Sequence, residues 1–181
     1  MYNEKEQLHE ITPLTMAVLC EKNEKGEIHT VVLEELRDYY VNEKPTKIVD
    51  DACKYFGSSL KGRLEGTKDI SRITHKAPIA IDPSSGMFFF PTCSPSNPNC
   101  SWISHSHVHQ VLPFDSDRTE LHFKNGRRII IDVSYGSILN QIQRTAQFRY
   151  SLENRIKYIE NTIVKKKNPE KTQDEDAEEE K

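Results

Sequence analysis

The chain has 181 residues, of which 35% are hydrophobic and 29% are charged. This size and composition favour one globular domain with a polar tail. No apolar run approaches the ~20 residues of a membrane-spanning helix, and the first fifteen residues lack a signal-peptide pattern. We therefore expect a cytoplasmic protein with no membrane partner. The four cysteines lack the CxxC spacing of a zinc finger, so we expect reduced thiols, two or three of them buried.

The net charge of −3 hides a segregation of charge along the chain. Residues 53–76 contain six basic and two acidic residues, and residues 137–167 contain seven basic and two acidic residues. Residues 1–52 contain twelve acidic and only six basic residues. Two basic blocks within an acidic protein indicate a localised surface for a polyanion such as nucleic acid.

In the first half of the chain, β-rich runs predict three strands, at residues 14–20, 28–33 and 37–41. A turn at residues 23–26 joins the first two. From residue 46 the apolar residues recur with a helical period, which predicts a helix with Thr46 as its N-cap and Gly57 as its end. A second helix, weakened by glycines, is predicted from residue 58 to about residue 69.

In the second half, strands are predicted at residues 73–81, 87–90 and 102–111, with a proline-rich loop at residues 91–100. The pair Asn125-Gly126 between two β-rich runs predicts a type I′ hairpin over residues 121–131. From Ser137 the apolar residues follow a helical period to Ile163, with a break in phase near residues 148–151.

These elements predict an α+β fold: a single antiparallel, β-rich domain with two short helices after the third strand and a long C-terminal helix. The domain is expected to span residues 11–165. Residues 1–10 are charged and aperiodic and are expected to be flexible. Residues 166–181 are expected to form a disordered acidic tail.

The basic segment 53–76 mixes cations with glycines and small hydroxyl residues, which suits close approach to a phosphate backbone. A solvated surface helix is the alternative interpretation. Within this segment, Lys61→Ala and Arg63→Ala are expected to weaken DNA binding without unfolding the protein. The hairpin and the long helix add further cations. The candidate DNA-binding residues are Lys54, Ser58, Ser59, Lys61, Arg63, Thr67, Lys68, Arg72, His75, Lys76, Lys124, Arg127, Arg128, Arg144 and Arg149.

His105, His107 and His109 alternate along the predicted strand 102–111, so their side chains are expected to share one face. With Cys93 and Cys100 upstream, they have the residue types and spacing of a zinc site. The alternative is that these imidazoles hydrogen-bond locally or contact phosphate. A zinc-binding module or zinc-dependent enzyme built on the three histidines is the second functional hypothesis, and a regulator whose basic patch binds an acidic protein is the third.

Three long motifs resemble the bacterial competence transcription factor family, ComK: FGSSLKGRLEGT at residues 56–67, ITHKAPIAIDPSSGMFFFPT at residues 73–92 and CSWISHSHV at residues 100–108. Three shorter segments fit the same family, namely YVNEKP at residues 40–45, the following IVD, and QRTA at residues 143–146. The resemblance covers about residues 14–150 in collinear order. The residues beyond about 165 have no counterpart that we can place.

The resemblance implies an activator of DNA-uptake genes in a Gram-positive cell, with no enzymatic activity and no cofactor. Such proteins bind paired A/T-rich promoter boxes in double-stranded DNA, largely through the minor groove, as dimers that assemble on promoters. The implied partners also include RNA polymerase and an adaptor that delivers the protein to an AAA+ protease. The implied location is the nucleoid within the cytoplasm. The family does not indicate which side chains contact DNA, so the candidate residues given above depend on their own chemistry.

Overall fold

The computed structural model describes residues 11–22 and 26–167. Within these residues the chain forms nine strands, three α-helices and one 3₁₀ turn. The strands are β1 (Thr15–Lys22), β2 (Ile28–Glu34), β3 (Asp38–Val41), β4 (Ile79–Asp82), β5 (Met87–Pro91), β6 (Trp102–Ser104), β7 (Val108–Pro113), β8 (Thr119–Phe123) and β9 (Arg128–Ile131). The helices are α1 (Pro45–Tyr55), α2 (Leu60–Ser71) and α3 (Tyr135–Lys167), and the 3₁₀ turn is His105–His107.

Six strands form one antiparallel sheet in the order β3-β2-β1-β6-β5-β4. At its centre, Val18 of β1 pairs with Val32 of β2 and with Trp102 of β6. Val18 and its neighbour Leu19 belong to two different core clusters. Since successive side chains of a strand point to opposite faces, the continuous apolar run in β1 fills two apolar layers at once.

Helices α1 and α2 cover one face of this sheet. There the fully buried Trp102 belongs to the same apolar cluster as Ile48 of α1 and Leu60 of α2. The Asp50 carboxylate accepts a hydrogen bond from the Leu60 backbone N–H at 2.9 Å, which ties the start of α2 to α1. The basic segment 53–76 is therefore attached to the core at its N-terminal end.

The opposite face is covered by a second antiparallel sheet, β7-β8-β9, and by the beginning of α3. Leu121 and Phe123 of β8 are buried in one cluster with Phe90 of β5 and Ile138 of α3. The domain therefore has a layer of two helices, a six-stranded sheet, and a layer made of the small sheet and α3. This arrangement confirms the predicted α+β class, the two short helices after the third strand and the long C-terminal helix.

Helix α3 packs against β5 near its middle and then leaves the core. Phe148 is 3% exposed, and its ring meets Phe88 edge-on at a centroid distance of 6.0 Å. Leu152 still packs against this cluster, whereas every residue from 154 to 161 is exposed. The predicted break in phase near residues 148–151 does not interrupt α3, which is continuous from Tyr135 to Lys167.

Two predicted strands have the wrong extent. Residues 73–78 are not in a strand: Ile73 and Ala77 are anchored in the cluster around Phe148, and β4 begins only at Ile79. The predicted strand 102–111 is broken by the 3₁₀ turn, and its two parts join different sheets. At this break a side-chain hydrogen bond takes the place of strand pairing: Ser106 Oγ donates to the Gly86 carbonyl at 2.6 Å.

One predicted helix cap and one predicted turn type are also wrong. Helix α1 begins at Pro45 with Lys44 as its N-cap, and the Thr46 hydroxyl donates to the Asn97 carbonyl at 3.1 Å instead. The β8–β9 hairpin closes at Phe123, whose N–H donates to the Arg127 carbonyl at 2.8 Å and whose carbonyl accepts from the Gly126 N–H at 3.0 Å. These bonds enclose a three-residue loop at residues 124–126, in which Gly126 has a φ of 87°. A type I′ turn needs positive φ at both central residues, and Asn125 is not among the described non-glycine residues with positive φ.

Some predictions fall outside the described residues. These are the flexible segment 1–10, most of the turn at residues 23–26, and the disorder expected for residues 168–181. The predicted tail began at residue 166, but α3 extends to Lys167, two residues beyond the predicted end of the domain.

The packing of α3 on β5 can be tested with a single truncation. We expect Phe148→Ala to lower the free energy of unfolding by roughly 3–5 kcal/mol, because it removes a buried ring and leaves a cavity. Tyr150 of the same helix is 69% exposed, so Tyr150→Ala should change this free energy by no more than about 0.5 kcal/mol. Urea denaturation of both variants measures the difference. Equal losses would contradict the packing described above.

Candidate nucleic-acid interface

Helix α2 presents a line of charged residues to solvent. Lys61 and Lys68 follow at i and i+7, so they lie on one face of the helix about 10 Å apart along its axis, and Arg72 is the C-cap that follows Ser71. All three are exposed. Glu65 lies between them, 4.0 Å from Lys61, in an exposed pair that contributes little to stability. This face can therefore neutralise a row of phosphates.

The chain leaves α2 with an unusual backbone. Arg72 has a φ of 62° and Lys76 a φ of 45°, and within residues 11–22 and 26–167 no other non-glycine residue has a positive φ. Such conformations cost of order 1–3 kcal/mol each and persist only where surrounding contacts impose them, often at functional sites. We call residues 72–76 the basic loop. Its side chains at positions 72 and 74–76 are exposed, whereas Ile73 is buried.

Two side chains of α3 hold the basic loop in place. The buried Gln141 donates from Nε2 to the carbonyls of Lys76, at 2.9 Å, and Pro91, at 2.8 Å. Arg144 donates to the His75 carbonyl and, at 3.2 Å, to Gln141 Oε1. The backbone of the loop is therefore fixed while its cationic side chains remain exposed. The predicted DNA-binding residue Arg144 uses its guanidinium to support the loop.

A groove runs beside the basic loop. Lys68, His75 and Lys76 line it together with Ser94 and Ser96 of the proline-rich loop. In the described part of the chain, no ion pair involves either lysine. Free ammonium groups and hydroxyls are the groups that bind phosphate oxygens.

A second basic cluster lies between the hairpin and α3. Lys124, Arg149, His105 and His109 line a groove there with residues of β7. Arg149 is partly committed, because its Nε donates to Glu153 at 2.7 Å and its guanidinium lies over the Phe88 ring. Burial, and then the positive charges of Arg149 and Lys124, lower the pKa of His105. This second groove is therefore positive but less free to bind an anion than the first.

Three predicted DNA-binding cations are instead paired with carboxylates. The pairs are Lys54–Asp50 at 2.6 Å, Arg127–Asp38 at 2.5 Å and Arg128–Glu120 at 3.8 Å. The Arg127 guanidinium holds both oxygens of Asp38 and so links the small sheet to β3. These three side chains contribute less positive charge to the surface than their number suggests.

Four other predicted residues have structural contacts. Thr67 is fully buried and donates to the Pro78 carbonyl at 2.7 Å, so it has no surface with which to contact DNA. The Ser58 backbone N–H donates to the Cys53 carbonyl at 2.9 Å, and Ser59 is the N-cap of α2, accepting a hydrogen bond from the Gly62 N–H. Arg63 is half-buried and donates to the Phe56 carbonyl at 3.2 Å. Arg63→Ala would remove this contact, so its effect on DNA binding could not be separated from an effect on folding.

The three histidines do not share a strand face, and the geometry expected for a zinc site is wrong. His105 and His107 lie in the 3₁₀ turn, and His109 lies in β7. His107 Nδ1 is 2.8 Å from Ser104 Oγ, and its Nε2 is 3.3 Å from Glu35. Among the described residues, no group of three or more His, Cys, Asp or Glu side chains could hold a metal ion.

The cysteines are free thiols, of which Cys53 and Cys100 are buried. Burial raises the pKa of Cys53 to about 11 and that of Cys100 to about 12. Both are therefore uncharged at neutral pH, as core thiols should be. In the part of the chain that the structure covers, no helix is both long and apolar enough to span a bilayer.

Sequence reasoning missed Gln141 and the serines of the groove. A signal for Gln141 was present, because it occupies a position in the helical stripe that otherwise contains Ile138, Thr145 and Phe148, all buried. A long polar side chain in such a stripe must find hydrogen-bond partners inside the protein. The sequence does not show which carbonyls those partners are.

Comparisons with known proteins agree on one family. A family model described as ComK protein matches residues 5–157. A competence transcription factor from Bacillus subtilis (strain 168) is 43% identical over 148 residues, which are 82% of this chain and 77% of that protein. No solved structure matches.

Acid is expected to destabilise the protein through His105. Its pKa is lowered in the folded chain, so the unfolded chain binds the proton first as the pH falls below about 6.5. The stabilising contribution of the neutral ring is complete above that pH and is lost as the pH falls towards the lowered pKa. Thermal unfolding at about pH 7.5 and about pH 5.5 should therefore show a smaller loss of melting temperature in His105→Asn than in the wild type. An identical loss would contradict this assignment.

Proposed function

Because the chain belongs to the ComK family, we propose that it is a competence transcription regulator, which activates DNA-uptake genes by binding A/T-rich promoter boxes mainly through the minor groove. The observation that carries the proposal is the basic loop. Gln141 and Arg144 fix its backbone, while Arg72 and Lys76 remain exposed. The loop, α2 and the supporting part of α3 all lie within the matched residues 5–157.

Electrostatics supports a nucleic-acid partner at this surface. The segment 53–76 carries a net charge of +4, from six basic and two acidic residues, in a chain whose net charge is −3. Apart from Lys54 on α1, its exposed cations lie on α2 and on the loop that follows: Lys61, Lys68, Arg72 and Lys76. Each phosphate that they neutralise releases condensed counterions, so binding should weaken as salt rises.

Shape favours the minor groove over the major groove. The minor groove of B-DNA is about 6 Å wide, so it admits a single irregular backbone segment but not a helix of about 10–12 Å diameter. The basic loop is such a segment, and A/T-rich minor grooves have the enhanced negative potential that attracts arginine and lysine. Helix α2 contains no Asn or Gln, the residues that pair with adenine in the major groove.

Self-association is part of the proposal. Two copies bound to neighbouring boxes would place two basic loops in successive minor grooves on the same promoter. Each copy would supply its own row of cations on α2, and contact between the copies would raise affinity for paired boxes above that for one box.

The cations of the interface can be tested one at a time. We expect Lys68→Ala to weaken binding to an A/T-box duplex several-fold and to reduce the slope of log affinity against log salt by about 0.9, the value for one phosphate contact. Arg72→Asn should have a similar effect, and asparagine tolerates the positive φ at this position. Fluorescence anisotropy over a salt series measures both quantities.

Lys54→Ala is the matched control for these variants. Lys54 is exposed like Lys68, but it is paired with Asp50 on α1 and does not line the groove beside the basic loop. Its loss should therefore change affinity and salt slope less than the loss of Lys68. Equal effects of the two changes would contradict the assignment of the interface to α2 and the basic loop.

The choice of groove can be tested with modified DNA. Replacing A·T pairs by I·C pairs keeps the minor-groove pattern and changes the major groove, so affinity should change by less than about threefold. A G·C-rich duplex should bind more weakly. A large loss on I·C substitution would place the contacts in the major groove. Failure to bind any duplex would favour an acidic protein as the partner of the basic surface.

A further inference from the structure

The C-terminal part of α3 carries an apolar face that nothing in the described residues covers. Ile156, Ile159 and Ile163 are 38%, 57% and 48% exposed. They lie beyond Leu152, where α3 last packs against the domain. Three isoleucines on one exposed helical face are unusual for a helix that contacts only water, whose residues are normally polar all round.

The spacing of these residues is that of a coiled coil. Leu152, Ile156, Ile159 and Ile163 are separated by four, three and four residues, which places them at alternating d and a positions of a heptad. The a positions, 156 and 163, carry isoleucine, and the d positions carry Leu152 and Ile159. Isoleucine at a with leucine at d favours two strands, whereas isoleucine at both positions favours more. We call Ile156, Ile159 and Ile163 the seam. A stripe confined to a and d positions is the narrow seam of a coiled coil, not the wider stripe of a core-facing helix.

The charges beside the seam indicate what the partner is. In this heptad Arg155 is at position g and Glu160 is at position e, five residues later. In a parallel, in-register pair of identical helices, Arg155 of each copy faces Glu160 of the other. An antiparallel pair would instead bring Glu160 near Glu153. Within the chain, no ion pair between described residues occupies Arg155 or Glu160.

We propose that the seam is the surface through which two copies of this chain associate, as a short parallel coiled coil between the C-terminal parts of α3. The inference depends on the self-association included in the proposed function, and it names the surface responsible. Residues 168–181 cannot cover the seam in place of a second copy, because they contain no large apolar side chain.

The length of the seam sets the expected strength. Three isoleucines from each copy bury much less than the ~800 Å² per partner of a standard interface, so the dimer should be weak in free solution. Two copies on adjacent boxes are held at an effective concentration that can reach the millimolar range. The seam should therefore contribute mainly to cooperative binding of paired boxes.

The full-length chain provides a matched pair of variants. Ile159→Lys places a charge in the seam, and Tyr158→Lys places the same charge at a neighbouring residue that is 73% exposed and lies off the seam. We expect Ile159→Lys to bind a single-box duplex within about twofold of the wild type and to lose cooperativity on a paired-box duplex. Sedimentation equilibrium without DNA, at protein concentrations high enough to populate the weak wild-type dimer, should show loss of the dimer in Ile159→Lys and its retention in Tyr158→Lys.

Charge reversal tests the parallel arrangement. Glu160→Arg alone and Arg155→Glu alone should each weaken the dimer, because each places like charges opposite one another. The double change, Arg155→Glu with Glu160→Arg, should restore it. In an antiparallel pair, Glu160→Arg would instead strengthen the dimer, since the new arginine would meet Glu153.

Three results would overturn the inference. The first is equal self-association of the wild type and Ile159→Lys. The second is a wild type that stays monomeric without DNA and binds paired boxes without cooperativity. The third is a stronger dimer in Glu160→Arg. A protein that binds no duplex would refute the proposed function instead, and sedimentation would still decide whether the seam joins two copies.

Discussion

The buried amide of Gln141 is the contact on which the arrangement of the candidate interface depends. Its Nε2 donates to the carbonyls of Lys76 and Pro91, and its Oε1 accepts from Arg144. These bonds join α3, the end of β5 and the basic loop. A buried carbonyl that loses its donor costs about 1–3 kcal/mol, so an apolar side chain at position 141 would leave this cost at the buried Pro91 bond and would also release the Lys76 carbonyl. The polar group in the stripe of α3 thus specifies where the loop lies.

A loop held in this way is already ordered before it meets a partner. Arg72 and Lys76 have positive φ values, which are unfavourable for these residue types and require support from the surrounding structure. That support comes from Gln141, from Arg144 and from the buried side chain of Ile73. The backbone of the loop loses its conformational entropy on folding, so this cost does not arise again when a partner binds. The same contacts that hold Arg72 and Lys76 at positive φ therefore also order the loop before it meets a partner.

Features of the fold that depend on local sequence could be predicted, and features that depend on distant contacts could not. The strands β1 to β3 and the two helices after them follow from hydrophobic period and from Gly57, which has a φ of 71°. The break at His105–His107 could not be predicted, because it depends on Ser106 reaching the Gly86 carbonyl, 20 residues away. The prediction of the candidate site from sequence was limited by distant contacts in the same way. Arg127 pairs with Asp38 across 89 residues, so a count of local charges treats a paired cation as a free one.

The two basic blocks, which are alike in charge, therefore differ in what they do. In the first block, Lys68 and Lys76 have no ion pair among the described residues and stand on one surface. In the second block, Arg144 supports the basic loop and Arg149 contacts Glu153. Arg155 lies farther along α3, beside the exposed isoleucines. The N-terminal part of α3 thus uses its polar side chains to position the surface of another segment. Its C-terminal part lies outside the core, where its charges can select a partner helix.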